Sequence, residues 1–351
     1  MNVVEEVIYN IKPLNQEVMT KVQKKIDDLS KPIGSLGRLE EICCKLGGIY
    51  ESLYFDISKK VVIGFAGDHG VYEEGVAKDP QWITKAQIPN FAKGTCGVGT
   101  LAKFMGVDIV AVDVGVKCDE KLSGVLDYKI RKGTSNMAKG PAMTREEALR
   151  SLEVGIEVVG ECVRKGYQVI GIGEMGIANT TPSSAIISVF GDCDPALVTG
   201  KGAGLSPEGI KHKVEIIQKA IALNKPQKED AIDVLAKVGG FEIGAMAGAI
   251  LGAAYHRVPV VLDGFISYAA ALIADALCPL SREYMIGSHY SAEPGSKKAT
   301  EILGIAPMLH LDMRLGEGSG GILVFNIIDA ANYLYENMAT RAESNCEEKI
   351  K

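Results

Sequence analysis

The chain has 351 residues, of which 47% are hydrophobic and 23% are charged, and its formal net charge is -6. This is the composition of an ordinary globular protein, large enough to bury a core without disulfides or a structural metal. The length alone allows about two domains. The negative charge argues against a nucleic-acid binder, which usually presents a basic face.

Eight cysteines are scattered along the chain with no C-x-x-C spacing. This disfavours a paired metal site and a disulfide framework, and we interpret the cysteines as reduced thiols of a cytoplasmic protein. The N-terminus, MNVVEE, is acidic where a secretory signal is basic. The most apolar stretch, residues 243–255, is shorter than the roughly 18 to 20 residues of a membrane span. Its glycines at 244, 248 and 252 favour a buried helix or a subunit contact.

The first sixty residues show helical apolar spacing over residues 16–29 and 39–53, with breaks at Pro32, Gly34 and Gly37. From residue 61 onward, short β-rich runs alternate with helical stretches. The runs are residues 61–66, 107–114, 167–172, 196–199, 258–262 and 308–315. A last amphipathic helix is predicted over residues 322–338. The alternation predicts an α/β fold with a Rossmann-like parallel sheet and helices on both faces.

Each predicted strand is followed by a turn in which glycine accompanies an acid or another polar residue. The turns are Gly67-Asp68-His69-Gly70, Asp113-Val114-Gly115, Gly173-Glu174-Met175-Gly176, Gly200-Lys201-Gly202-Ala203-Gly204, Asp263-Gly264 and Gly316-Glu317-Gly318. In an open parallel sheet, ligands bind outside the carboxyl ends of the strands. Six such turns therefore predict a binding site along one edge of the sheet.

Residues 171–176 match the G-x-G-x-x-G fingerprint of dinucleotide-binding folds. The polar run that follows contains a proline where a nicotinamide-binding fold has already begun its helix, which argues against NAD. The run offers hydroxyls and amides ahead of a helix predicted to begin near Ser184; they are Asn179, Thr180, Thr181, Ser183 and Ser184. Because helix N-termini favour anions, we interpret it as a monophosphate cradle, with a plain N-cap cluster as the alternative.

Glu317 is the best candidate for a general base. Apolar and polar residues alternate through the predicted strand at 308–315, and one further step places Glu317 on the apolar side. Poor solvation there favours the protonated carboxyl, which suits a base working near neutral pH. Glu174 is the natural second carboxylate. The alternative is that Glu317 is an ordinary loop acid.

Two other groups are weaker candidates. Lys211 and Lys213 follow a glycine loop that lacks Walker spacing, and either could serve a phosphate. Asp68 and His69 could form a metal pair, but no further ligand stands at suitable spacing, so we predict no metal site. His289, between two serines, is ambiguous.

Six motifs in order along the chain resemble those of one enzyme family. They are residues 31–40 (KPIGSLGRLE), 67–71 (GDHGV), 173–181 (GEMGIANTT), 200–204 (GKGAG), 263–265 (DGF) and 311–320 (LDMRLGEGSG). The family is nicotinate-nucleotide:dimethylbenzimidazole phosphoribosyltransferase, of the cobalamin nucleotide-loop pathway. The resemblance covers about residues 15–338.

The resemblance implies that ribose 5-phosphate moves from nicotinate mononucleotide to 5,6-dimethylbenzimidazole or a related lower base, with inversion at the anomeric carbon. It also implies a homodimer that needs no cofactor, with an α/β catalytic domain at residues 61–321 and a small helical domain from residues 1–60 and 322–351. The rival hypotheses are an NAD-dependent oxidoreductase and a non-catalytic nucleotide-binding subunit.

By the same resemblance, Glu317 is the catalytic base and Glu174 the secondary acid. The implied phosphate and ribose contacts are Gly176, Asn179, Thr180, Thr181, Gly202, Lys213 and Asp263. The implied walls of the base pocket are Gln87, Met175 and Leu315, with Gln87 at the end of the stretch 78–87. Within that stretch, Pro80-Gln81-Trp82 departs from the family pattern, so the preferred lower base stays open.

Overall fold

A computed structural model describes residues 2–344 of the chain. In that range six parallel strands form one sheet in the order β3-β2-β1-β4-β5-β6. The strands are β1 (Lys60–Gly67), β2 (Asp108–Gly115), β3 (Val125–Asp127), β4 (Val169–Met175), β5 (Val260–Leu262) and β6 (Met285–Gly287). This is the doubly wound Rossmann order, with its topological switch between β1 and β4, and it confirms the predicted fold class.

Helices cover both faces of the sheet. They are α1 (Val3–Asn10), α2 (Gln16–Asp28), α3 (Arg38–Tyr50), α4 (Ile83–Lys93), α5 (Gly97–Met105), α6 (Arg145–Arg164), α7 (Thr180–Phe190), α8 (Pro207–Asn224), α9 (Ala231–Val238), α10 (Phe241–Tyr255), α11 (Phe265–Leu277), α12 (Gly295–Leu303) and α13 (Ser319–Asn337). The helices predicted near both chain ends correspond to α2, α3 and α13 and differ from them by three residues or fewer at each end.

Strand β1 shows how the sheet is buried on both faces. Val61, Ile63 and Phe65 belong to the core formed with α6, α7, α10 and α11. Val62 and Ala66 point the other way, into the core formed with α2, α3, α4, α5 and α13. Side chains of a strand alternate between faces, so a parallel strand covered on both sides is apolar throughout.

The apolar glycine-rich stretch forms α10, which is buried along nearly its whole length. Its Gly248 faces the carbonyl oxygen of Leu152 in α6, and Gly155 of α6 faces the carbonyl oxygen of Ala245; a Cβ at either glycine would overlap that oxygen. The buried helix is therefore confirmed, and its small residues serve packing within the chain. In the range 2–344 no helix is both long and apolar enough to span a bilayer.

Helices from the two ends of the chain meet on one face of the sheet. Helix α13 packs against α3 and β4, and Tyr335 of α13 stacks on Phe55 with ring centroids 5.6 Å apart. Helix α1 packs instead against α10 and α6 on the other face. The division into residues 1–60 with 322–351 and residues 61–321 stays a prediction, and residues 345–351 lie outside the described range.

Two predicted strands are wrong. Residues 196–199 form no strand: the first two belong to a 3-10 turn, Pro195–Leu197, which Asp194 caps and in which Pro195 occupies the first position. Residues 308–315 make one isolated bridge, between Leu309 and His289, and Asp312 has a φ of 51°, which no strand residue adopts. The sequence pattern also missed β3 and β6, which have three residues each and are too short to show a period.

Candidate active site

A cavity of about 640 Å³ opens at the carboxyl ends of β4, β5 and β6 and extends to α4. Of the twelve residues that the sequence assigned to a site, eleven line it. They are Gln87, Glu174, Met175, Gly176, Asn179, Thr180, Gly202, Lys213, Asp263, Leu315 and Glu317. Thr181 lies outside the cavity and is fully buried in α7. The turns therefore converge on one space, although chain segments more than 200 residues apart supply its walls.

Glu317 is buried, with 5% of its surface exposed, in a left-handed turn before α13. Gly316, Glu317 and Gly318 all have positive φ, of 84°, 67° and 97°. The turn, and not the predicted strand period, buries the carboxylate: Leu311 and Leu315, on the supposedly apolar side, are 53% and 59% exposed. A non-glycine residue in this conformation is uncommon and marks a position held by its surroundings.

Two donors hold the Glu317 carboxylate. Gln87 Nε2 donates to Oε1 at 2.8 Å, and the backbone N–H of Val98 donates to Oε2 at 3.0 Å. Val98 is in the first turn of α5, where free N–H groups and the helix dipole favour a negative charge. These donors offset the cost of burial and fix the direction of both carboxylate oxygens, as a general base requires.

Glu174 lies on β4 beside the Glu317 turn. Asn179 Nδ2 donates to its Oε2, and the backbone N–H of Glu317 lies 3.4 Å from its Oε1. Burial raises the pKa of Glu174 to about 8, and the nearby Asp263 and Glu242 carboxylates add to the rise, while the Asn179 hydrogen bond opposes it. Glu174 is therefore mostly a neutral carboxyl at pH 7. The two acids have different environments and can take different roles.

Two glycines allow these acids to meet. A Cβ on Gly173, inside β4, would overlap the carbonyl oxygen of Glu317, and a Cβ on Gly316 would overlap Oε1 of Glu174. Gly171 and Gly173 of the G-x-G-x-x-G match are thus strand residues, and only Gly176 is in the turn before α7. The match does not form the strand-to-helix turn of a dinucleotide site, which removes the main support for the NAD hypothesis.

Only part of the polar run after β4 faces the cavity. Helix α7 begins at Thr180, four residues before the predicted start. Asn179 and Thr180 face the cavity, whereas Ser183 and Ser184 donate back to the carbonyl oxygens of Asn179 and Thr180 at 2.9 Å. Within this run, only the first residues of α7 are therefore placed as an anion site would require.

Lys213 comes from α8 and is 1% exposed. Its Nζ donates to Thr180 Oγ1 at 2.6 Å. Burial lowers the pKa of Lys213 to about 8, against the opposing charge of Glu293. Lys211, its alternative, is exposed on the same helix. Within residues 2–344, Lys213 has no ion pair within 4.0 Å, and a buried cation of this kind next to a helix N-terminus suits a phosphate group.

Asp263, at the end of β5, supports α13. Its Oδ1 accepts from the N–H groups of Gly320 at 2.7 Å and Gly321 at 3.2 Å, and its Oδ2 accepts from Gly318 at 3.1 Å. The carboxylate therefore occupies the N-terminus of α13, where helix N–H groups lack internal partners. Its predicted contact with ribose stays a prediction.

Several polar residues of the cavity wall received no site role from the sequence pattern, among them His289, Glu293 and Arg314. Glu293 Oε1 accepts from Gly202 N at 2.9 Å, and Arg314 Nη1 donates to Gly202 O at 2.9 Å, so both hold the glycine loop. His289 and Glu293 follow β6. Because that strand was not recognised, its strand-end turn gave no signal.

Asp68 and His69 each contact another group of the chain. His69 Nε2 lies 2.7 Å from Glu242 Oε1 in a buried pair, and Asp68 Oδ2 accepts from the backbone of Lys117 at 2.8 Å. Among residues 2–344, no group of three or more potential ligands is arranged to hold a metal ion.

Comparison with known proteins gives concordant matches. Residues 11–346 match a family model described as phosphoribosyltransferase. A nicotinate-nucleotide–dimethylbenzimidazole phosphoribosyltransferase of Clostridioides difficile (strain 630) is 63% identical over 340 residues, covering 97% of this chain and 98% of that protein. The protein of the same name from Alkaliphilus metalliredigens (strain QYMF) is 54% identical over 345 residues, with 98% and 99% covered. The crystal structure of CobT from Thermus thermophilus has a TM-score of 0.89 at 35% identity, covering 94% of this chain and 98% of that chain.

Proposed function

Since the chain belongs to the phosphoribosyltransferase family of these relatives, we propose that it transfers ribose 5-phosphate from nicotinate mononucleotide to 5,6-dimethylbenzimidazole or a related lower base. The products are nicotinate and α-ribazole 5′-phosphate, or its counterpart with another base. The observation that carries the proposal is the placement of Glu317. Its buried carboxylate is held by Gln87 and Val98 in the same cavity that holds Lys213 and Thr180.

The proposed reaction is one displacement at C1′ of the ribose. The unprotonated ring nitrogen of the lower base attacks C1′, and the bond from C1′ to the nicotinate nitrogen breaks with its electron pair going to nicotinate. Glu317 takes the proton from the other ring nitrogen. Attack opposite the leaving group converts the β linkage into α. The nicotinate nitrogen is cationic in the substrate, so its departure needs no general acid.

Glu174 supports this division of roles. With a pKa of about 8, its carboxyl is mostly neutral at pH 7 and does not compete with Glu317 for the proton of the base. It lies on β4 next to the Glu317 turn and lines the same cavity. We infer that it faces the reacting sugar, where the developing positive charge would favour its ionised form.

We place the 5′-phosphate at the end of the cavity formed by α7 and α8. Lys213 supplies the positive charge, and Thr180, Asn179 and Gly176 lie around the N-terminus of α7. Gly202 closes this end from the loop that Arg314 and Glu293 hold. At the other end, Met175, Leu315 and Gln87 form the walls for the lower base. The exposed Leu315 side chain offers an apolar surface for a flat ring.

Lys213→Met is expected to weaken binding of nicotinate mononucleotide about 10- to 100-fold, because one charge-assisted hydrogen bond is lost. In the unaltered enzyme, affinity falls as pH rises through about 8, since Lys213 is charged below its pKa and neutral above it. Calorimetric titration between pH 6.5 and 9.5 measures both effects. Lys211→Met is the matched control on the exposed side of α8 and should bind as the unaltered enzyme does. Equal affinities for the two variants would contradict the assignment.

The reaction itself is tested by incubating the enzyme with nicotinate mononucleotide and 5,6-dimethylbenzimidazole and separating the products by chromatography. We expect α-ribazole 5′-phosphate and nicotinate in equal amounts. A non-catalytic nucleotide-binding subunit would bind the nucleotide and give no product with any benzimidazole, purine or phenol. An oxidoreductase would instead change the absorbance at 340 nm with NAD and an alcohol.

The proposal includes a cytoplasmic homodimer. The seven cysteines in the described range are unpaired, and six of them are buried, as in a protein of a reducing compartment. The dimer rests on the family resemblance. Sedimentation equilibrium at the mass of a single chain would contradict it.

A further inference from the structure

His289 is a buried imidazole in the wall of the cavity that the proposed mechanism has not used. It follows β6 and is 2% exposed. Its ring fits only because Gly320, in the first turn of α13, has no side chain, since a Cβ there would overlap the imidazole. The ring is thus fixed between β6 and α13.

The hydrogen bonds of Ser288 set the tautomer of His289. Ser288 Oγ donates its proton to the carbonyl oxygen of Asp263 at 2.7 Å. The same oxygen lies 3.0 Å from His289 Nδ1 and therefore accepts from an Nδ1–H group. With the proton on Nδ1, the neutral form of the ring carries its lone pair on Nε2.

The Nε2 edge of the ring lies beside Gly264, a residue of the cavity wall. A Cβ on Gly264 would lie 3.1 Å from both Nε2 and Cε1, and 3.5 Å from Cβ of Ser291. Gly264, Ser291 and His289 all line the cavity. Asp263 Oδ1 lies 3.9 Å from Nδ1. Asp263 itself already accepts three backbone hydrogen bonds.

We propose that His289 Nε2 binds nicotinate mononucleotide by accepting a hydrogen bond from a ribose hydroxyl. This assignment rests on the proposed function. When the carboxylate and the phosphate are ionised, the 2′- and 3′-hydroxyls are the only donors that this nucleotide carries. A neutral acceptor in the wall therefore matches the sugar and neither of the charged ends.

The hydrogen bond also affects the rate. As the bond to nicotinate breaks, positive charge develops at C1′ and the neighbouring 2′-hydroxyl becomes a stronger donor. Hydrogen bonds to this hydroxyl strengthen in the transition states of glycosyl transfer. An acceptor at the 2′-hydroxyl would therefore contribute more to kcat/KM than to nucleotide binding, whereas one at the 3′-hydroxyl would contribute to both alike.

The test combines substrate and enzyme changes at pH 8. The kcat/KM is measured for nicotinate mononucleotide and for its 2′-deoxy and 3′-deoxy analogues, with the unaltered enzyme, His289→Phe and His289→Gln. With the unaltered enzyme, we expect kcat/KM for one of the two deoxy analogues to be about 10- to 100-fold lower than for the natural nucleotide. His289→Phe should lower kcat/KM for the natural nucleotide by a similar factor. Removing the same hydroxyl from the substrate should then cause no further loss in this variant. His289→Gln, which keeps an acceptor, should retain most of the activity and the sensitivity.

The outcomes separate the two levels of the proposal. No product from the natural nucleotide with the unaltered enzyme would refute the proposed function itself. If product forms and both deoxy analogues react with the kcat/KM of the natural nucleotide, the role of His289 alone is overturned. The same holds if His289→Phe discriminates against a deoxy analogue as strongly as the unaltered enzyme does. If thermal unfolding shows that His289→Phe is misfolded, the comparison of the unaltered enzyme with His289→Gln decides. A glutamine variant with no activity and an unchanged Tm would also overturn the role.

Discussion

Glu317→Gln is expected to lower kcat by about 10²- to 10⁴-fold, the usual contribution of a positioned general base. The amide cannot take the proton of the lower base, but it is isosteric with the carboxylate. Binding of nicotinate mononucleotide should change little, because Lys213 and Thr180 hold the phosphate at the other end of the cavity. Single-turnover kinetics and calorimetric titration measure the two quantities separately.

Asp312→Asn is the matched control for this experiment. Asp312 is an exposed acid five residues earlier, and it also has a positive φ, of 51°, which asparagine tolerates. Its variant should retain full activity. If Glu317→Gln keeps the kcat of the unaltered enzyme, Glu317 is not the base.

Gly173→Ala is the second change for which we expect a large effect. Gly173 lies inside β4, directly under the turn that carries Glu317, and a Cβ there would overlap backbone atoms of Glu317. Backbone cannot give way as a flexible side chain does, so the turn must move. Overpacking of this kind costs about 1–3 kcal/mol in the free energy of unfolding. A shift of the base by about 1 Å costs about 10²-fold in rate.

Gly171→Ala, two residues earlier in the same strand, is the control. Its Cβ would meet only side-chain atoms, Phe325 Cζ at 3.0 Å and Val62 Cγ2 at 3.2 Å. We expect a smaller loss of stability and near-normal kcat. Denaturant unfolding and steady-state kinetics of both variants give the comparison. Equal kcat for Gly173→Ala and Gly171→Ala would mean that Gly173 does not position the base.

Much of the fold could be predicted from the sequence because the pattern of apolar residues that indicates a helix or strand is local. The long runs of β1, β2 and β4 and the helices α2, α3 and α13 repeat their apolar residues over several turns or pleats, and their prediction was confirmed. The three-residue strands β3 and β6 are too short for a period. Pairing alone defines them: β6 is a strand because Val260, Val261 and Leu262 of β5 pair with it.

The residues of the candidate site could be predicted from the sequence to a similar extent. The pattern of glycine and acid at a strand end led to Glu174 and Asp263, which both line the cavity. Glu317 lines the cavity as expected, but the strand period from which its burial was predicted does not exist. Its burial depends on a left-handed turn packed over Gly173, and that contact joins residues 144 positions apart.

By itself, the sequence determined the α/β class, the edge of the sheet where the cavity lies, the acids on that edge and the family. These depend on residue type and on spacing within one element or turn. Only the tertiary structure decided which groups surround each acid. In the folded chain, Gln87 and the first turn of α5 donate hydrogen bonds to Glu317. Asp263 caps α13, and His289 lies in the cavity wall. Hydrogen-bond partners and burial depend on contacts between distant segments, and no local pattern records those contacts.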